Sequence, residues 1–201
     1  FQRRHGSFVE ALLRRSPDVL VPVLAPPLTL DTAGTPCEPR QAAECAARCE
    51  RGDARSCRDL GRLHDEGKGV RKDPERAAAS FARACELGLG LGCTELGWMH
   101  ESGLGTPKDP GRAASLYRQA CVLGDASGCT NLGWLYDSAD GVALDQARAA
   151  ALYRRGCEGG SYRACNNLGW LLHRGHGVAR DEARAAHFFR RSCDGGHANG
   201  C

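Results

Sequence analysis

The sequence predicts an all-α fold, a solenoid of stacked αα-hairpins held together by disulfides. Three observations predict it. Ten of the twelve cysteines fall on one register: Cys49, Cys57, Cys85, Cys93, Cys121, Cys129, Cys157, Cys165, Cys193 and Cys201, with gaps alternating eight and twenty-eight and a period of 36 residues. A Leu-Gly pair follows the second cysteine of each of the first four pairs by three residues, at Leu60, Leu96, Leu132 and Leu168. Glycines and a capping aspartate punctuate every period at the same offsets. A repeat of this length is a helix–turn–helix unit that buries its apolar face only against neighbouring copies.

Each unit reads in the same order. In the first helix, cysteine, leucine, glycine and the residue three further on (His64, His100, Tyr136, Leu172) share one face at helical spacing. A glycine inside a helix costs stability, so its recurrence at Gly61, Gly97, Gly133 and Gly169 predicts close approach of another helix. The turn follows as Gly67-Lys68-Gly69-Val70, with equivalents at 103–106, 139–142 and 175–178; Ala139 and Asp140 depart from the pattern and predict a damaged third turn. Asp73, Asp109, Asp145 and Asp181 then stand as N-caps, with Pro74 and Pro110 at the first helical position. The second helix repeats Arg-Ala-Ala and then an aromatic, Phe81, Tyr117, Tyr153 or Phe189, placed to pack over the alanines.

Leu-Gly-x-x-Tyr, Gly-x-Gly-Val, Asp, Arg-Ala-Ala and an aromatic together resemble the Sel1-like repeat, a relative of the tetratricopeptide repeat. The added Cys-x7-Cys at each junction is similar to the secreted bacterial cysteine-rich Hcp proteins, and more distantly to cysteine-rich Sel1-type assembly factors of the mitochondrial intermembrane space. The resemblance covers residues 37–201 and implies a right-handed solenoid. It divides the chain into a leader or remnant signal segment at 1–36, an N-terminal capping helix at 37–52, and four repeats at 53–88, 89–124, 125–160 and 161–196, followed by a terminal clasp to Cys201. Arg62 stands where the other units carry tryptophan.

Each Cys-x7-Cys pair spans the end of one helix and the start of the next. Around such a turn the Cα atoms approach within bonding range, whereas eight residues of straight helix would separate them by about 12 Å. The expected bridges are Cys49–Cys57, Cys85–Cys93, Cys121–Cys129, Cys157–Cys165 and Cys193–Cys201, each contributing roughly 2–3 kcal/mol at the upper end. Cys37 and Cys45 lie off the register, at the slots of the aspartate and the aromatic. In a regular helix they are too far apart to bond; a distorted helix would let them pair as a further clasp, the alternatives being free thiols or a bond to a partner. Paired thiols on this scale fit an oxidising compartment, periplasmic or secreted, with the intermembrane space as the alternative.

The residues exclude several function classes. Charged residues are 25% of the chain and the net charge is +3, which gives no strong field for nucleic acid or a membrane surface. No apolar stretch is long enough for a membrane span. The segment 19–30 is apolar but broken by Pro22, Pro26 and Pro27, so 1–36 reads either as a degraded secretory signal or as a disordered leader. Zinc sites use two Cys-x2-4-Cys knuckles converging on one ion, whereas here each cysteine pair is isolated by a whole repeat; no Cys-x-x-Cys and no phosphate loop occur. Hcp proteins have been named as penicillin-binding proteins or β-lactamases, so that activity is the alternative. The Ser-x-x-Lys, Ser-Asp-Asn and Lys-Thr-Gly motifs it needs are absent, and His173, His176, His187 and His197 read as exposed turn histidines. No catalytic residue, metal or cofactor is implied.

The face of each first helix opposite its cysteine and glycine is left for function. It carries Glu95, Trp98, Asn131, Trp134, Asn166, Asn167 and Trp170. By analogy with tetratricopeptide solenoids this face is concave. Indoles and side-chain amides there suit an extended peptide or protein segment, or a cell-wall fragment. The expected function is a non-catalytic protein- or peptide-binding scaffold of the envelope or secreted space, acting as a monomer. Packing of each tryptophan between adjacent first helices is the alternative.

Overall fold

The computed structural model describes residues 36–197 and 200–201, so the expected leader or signal segment lies outside the described residues apart from Pro36. The described residues form a short 3-10 turn, Pro39–Gln41, and then α1 (Ala42–Glu50), α2 (Ala54–Glu66), α3 (Pro74–Glu86), α4 (Gly90–Ser102), α5 (Pro110–Val122), α6 (Ala126–Ser138), α7 (Gln146–Glu158), α8 (Tyr162–Arg174) and α9 (Glu182–Asp194). No strand occurs among them. The even-numbered helices are the first helices of the four units and the odd-numbered ones from α3 the second. Every helix packs on the next in sequence, and the first helices also touch across units, α2 with α4 and α4 with α6.

Local chemistry sets the boundaries. Asp73, Asp109, Asp145 and Asp181 each accept from the backbone N–H three residues on, at 2.9–3.0 Å, which satisfies a donor that the helix start leaves orphaned. Gly67, Gly103 and Gly175 end the first helices in the left-handed region at φ 70–76°. The expected damage at the third turn does not occur: Ala139 takes the same conformation at φ 59°. The surrounding turn holds it there against the cost that a Cβ pays in that region.

The recurring glycine of each first helix faces the aromatic of its own unit. A Cβ on Gly61, Gly97, Gly133 or Gly169 would stand 2.6–2.8 Å from the ring of Phe81, Tyr117, Tyr153 or Phe189. The ring occupies the volume that the missing side chain leaves, and Ala113, Ala114, Ala149 and Ala150 complete the core around it.

Six disulfides close the junctions: Cys49–Cys57, Cys85–Cys93, Cys121–Cys129, Cys157–Cys165, Cys193–Cys201 and Cys37–Cys45. The last is possible because the regular helix begins only at Ala42. Cys37 lies ahead of the 3-10 turn, which brings the two Cα atoms to 5.9 Å. Beneath each inner clip lies a pair of small residues from facing helices, one of them always glycine. Ala84 meets Gly92 and Ala120 meets Gly128, but Gly156 meets Ala164, with the partners exchanged. There is room for one methyl at the junction and not for two.

Candidate functional site

The indole-bearing faces of α4, α6 and α8 form a groove of about 740 Å³, lined by Glu95, Trp98, Glu101, Asn131, Trp134 and Arg163 among others. Helical spacing builds it, since Thr94, Glu95 and Trp98 recur one period on as Thr130, Asn131 and Trp134, and again as Asn166, Asn167 and Trp170. The three indoles are alike in exposure, at 42–43%. Trp170 differs in company. It meets Phe189 and His173 edge-to-face and lies under the Arg174 guanidinium, 5.1 Å away. Trp98 and Trp134 have no ring or cation partner among the described residues. The indoles are therefore neither fully packed between helices nor fully free.

Glycine and tyrosine together bring a second row of groups to the groove. With no side chain at Gly97, the Tyr117 ring crosses α4, and its hydroxyl donates to Glu101 Oε2 at 2.5 Å, one turn further along the helix. Burial, and then the Glu101 carboxylate, push the Tyr117 hydroxyl far above the ordinary phenol range. The Tyr153 ring packs against Gly133 in the same way one unit on. Burial and then Asp137 raise its pKa, while the Asn167 amide acts in the opposite sense.

The sequence-selected residues meet different fates. Asn131 accepts a hydrogen bond from the Arg163 guanidinium. Asn166 is only 6% exposed and its Oδ1 has no partner among the described residues. Its equivalents at the two preceding junctions are paired across the repeat boundary. Thr94 donates to Asp125, the N-cap of α6, and Thr130 donates to Ser161, the N-cap of α8, at 2.9 Å. Glu95 makes no hydrogen bond among the described residues, and burial raises its pKa against the opposing pull of Arg58 and Arg62.

Sequence reasoning missed Glu101, Arg163 and the tyrosine hydroxyls. A signal for them existed: the aromatic slot is tyrosine only in the two inner units, and an acid stands at Asp65, Glu101 and Asp137. The four histidines do not converge. His173 pairs with Glu182 at 2.8 Å, His176 lies beside Gln146, and no group of three potential metal ligands occurs among the described residues.

A second hollow of about 640 Å³ lies at the first unit, lined by Arg55, Arg58 and Arg62 together with Asp59 and Glu66. Arg58 pairs with Asp59 at 3.2 Å and Arg62 with Glu66 at 3.1 Å. No helix among the described residues is long and apolar enough to cross a membrane.

The Sel1 repeat family model matches residues 54–89, 90–125, 126–161 and 163–197. Among solved structures, the chain is similar to a protective antigen of uropathogenic Escherichia coli with an SLR fold, at TM-score 0.74 and 27% identity over 82% of this chain and 35% of that one. It thus spans about a third of that antigen's length. A Sel1 repeat protein from Oxalobacter formigenes matches at TM-score 0.71 and 24% identity, over 81% of this chain and 72% of that one. Cysteine rich protein B of Helicobacter pylori matches at TM-score 0.53 and 29% identity, over 64% of this chain and 92% of that one. No curated protein sequence matches, and no comparison supports the penicillin-binding alternative. Four consecutive family matches on a stack of cysteine-clipped hairpins settle the assignment: the chain belongs to the Sel1 repeat family, whose scaffolds mediate protein–protein interaction.

Proposed function

We propose that the protein is a non-catalytic scaffold of the cell envelope or secreted space that binds a protein or peptide segment along the inner face of its first helices. Residues 37–52 cap the stack, and four units, 53–88, 89–124, 125–160 and 161–196, build the face. The chain acts as a monomer. The observation that carries the reading is the row of three half-exposed indoles at one repeat spacing, flanked by carboxylates and amides. Contact between first helices across units supports a stack that curls toward them. Aromatic anchors supply apolar area at little entropic cost, and amides match a peptide backbone. Six disulfides support an oxidising, extracytoplasmic compartment.

The test is capture from a periplasmic extract with the oxidised protein as bait. Trp98→Ala with Trp134→Ala should abolish enrichment of the partner, and Val122→Ser with Leu144→Ser, exposed residues of the second helices and turns, should leave it intact. If the indole variant enriches the same partner equally, binding lies elsewhere.

A further inference from the structure

Within the inner face, the stretch between the second and third units differs from the rest. Glu95 and Glu101 both line it, on the α4 face that also holds Trp98, and Trp134 follows one repeat later on α6. Glu101 uses one carboxylate oxygen to accept from Tyr117 and Glu95 uses neither among the described residues. Trp98 and Trp134 offer indole faces without a cation, whereas Trp170 already carries Arg174. The molecule thus displays, at Trp170, the contact that the other two indoles lack.

The nearby basic residues are engaged. Arg163 donates to Asn131, Arg58 pairs with Asp59 and Arg62 with Glu66. An independent feature points to a donor-rich ligand. Asn166, more than nine-tenths buried on the wall of the same groove, has an amide oxygen with no donor among the described residues. Buried acceptors of this kind are normally satisfied.

A guanidinium fits these requirements better than an ammonium. It is planar, stacks on indole faces and carries five donors in a fixed fork, so one group can lie on an aromatic surface and still serve carboxylates. We propose that the groove between the second and third units binds an extended peptide through an arginine side chain, its guanidinium against Trp98 and Trp134 and paired with Glu95 and Glu101. The inference rests on the inner-face reading above and gives that face its ligand chemistry.

Burial leaves Glu95 with a raised pKa; Arg58, Arg62, Asp65 and Asp125 act on it, and Glu101, Arg163 and His197 line the same groove. A bound guanidinium favours the ionised carboxylate. Affinity should therefore be full above the raised pKa of Glu95 and should fall as pH drops through it.

The probes are three blocked pentapeptides with a central arginine, lysine or citrulline between alanines, titrated into the oxidised full chain at low salt. Binding is read by calorimetry and by indole emission. The arginine peptide should bind about tenfold more tightly than the citrulline peptide, with lysine between. Glu95→Gln with Glu101→Gln should remove that tenfold preference and flatten the pH profile; far-UV circular dichroism checks that the variant is folded. Equal affinity for arginine and citrulline, or binding of none of the three, overturns the arginine inference. The inner-face reading is judged separately by partner capture with the indole variant, so the two can fail independently.

Discussion

The first unit and the two inner units share the glycine–ring contact and the disulfide junction that pack their helices, and differ in what faces the groove. Gly61 lies against Phe81 just as Gly133 lies against Tyr153, and both junctions carry a disulfide over a glycine–alanine pair. The groove side diverges. Phe81 has no hydroxyl to send through the first helix, and Arg62 replaces the indole; at the junction that follows, Leu89 caps α4 with no side-chain hydrogen bond, where Asp125 and Ser161 cap α6 and α8. What repeats is therefore scaffold, and what drifts between repeats marks the surface free to specialise. Tyr117 stands on both sides of that line. Its ring packs, and its hydroxyl reaches the groove.

The sharpest way to break this division is to attack the shared part in both places. Gly61→Val and Gly133→Val each force a side chain into a ring at 2.6–2.8 Å. Each should cost about 3 kcal/mol, since a filled core has nowhere to put the added methyls. Urea unfolding under oxidising conditions reads the loss. Equal costs support a common scaffold. A loss at Gly61 below half of that at Gly133 would mean that the first unit is packed on different terms.

A smaller effect comes from the exchanged pair at the third junction. Gly156→Ala sets a methyl 3.0 Å from Ala164 Cβ and 2.8 Å from Thr130 Oγ1, and should cost about 2 kcal/mol. Adding Ala164→Gly recreates the order of the second junction, where Ala120 meets Gly128. The double variant should recover at least half of the loss, after allowing about 1 kcal/mol for a glycine inside α8. Additive losses would show that the two positions do not share one space.

Much of the scaffold was legible in sequence because its causes are local or strictly periodic. The cysteine register, the capping aspartates and the turn glycines each act within a few residues, and the period states which copies must stack. The tyrosine–glutamate contact was harder to see. It depends on a ring crossing a glycine sixteen or more residues away, and nothing in a linear pattern says on which side of a helix the hydroxyl emerges. Ala139 misled for a different reason. Its own preference opposes φ 59°, and the turn around it overrides that preference. Cys37 and Cys45 were ambiguous because their pairing depends on where a helix begins, and a 3-10 turn sets that boundary more finely than composition does.

The smallest expected effect tests whether the polar rung is required of the scaffold or is one of several ways to fill a junction. Leu89 is half-buried, lies against the Cys49, Cys57 and Ala84 cluster with Leu87, and leaves the start of α4 without a side-chain acceptor. Leu89→Asp removes that apolar contact, at about 1 kcal/mol for a partly buried leucine. It supplies a cap of about 1 kcal/mol and places a carboxylate where Asp125 stands opposite Thr94, here opposite Arg58. The two terms nearly cancel, so the urea midpoint should shift by less than the equivalent of about 0.5 kcal/mol. Leu89→Ala, which loses the contact and gains no cap, should be the more damaging change. If aspartate proves worse than alanine, the first junction depends on its leucine, and the rung at the inner junctions is not a module that can be moved along the stack.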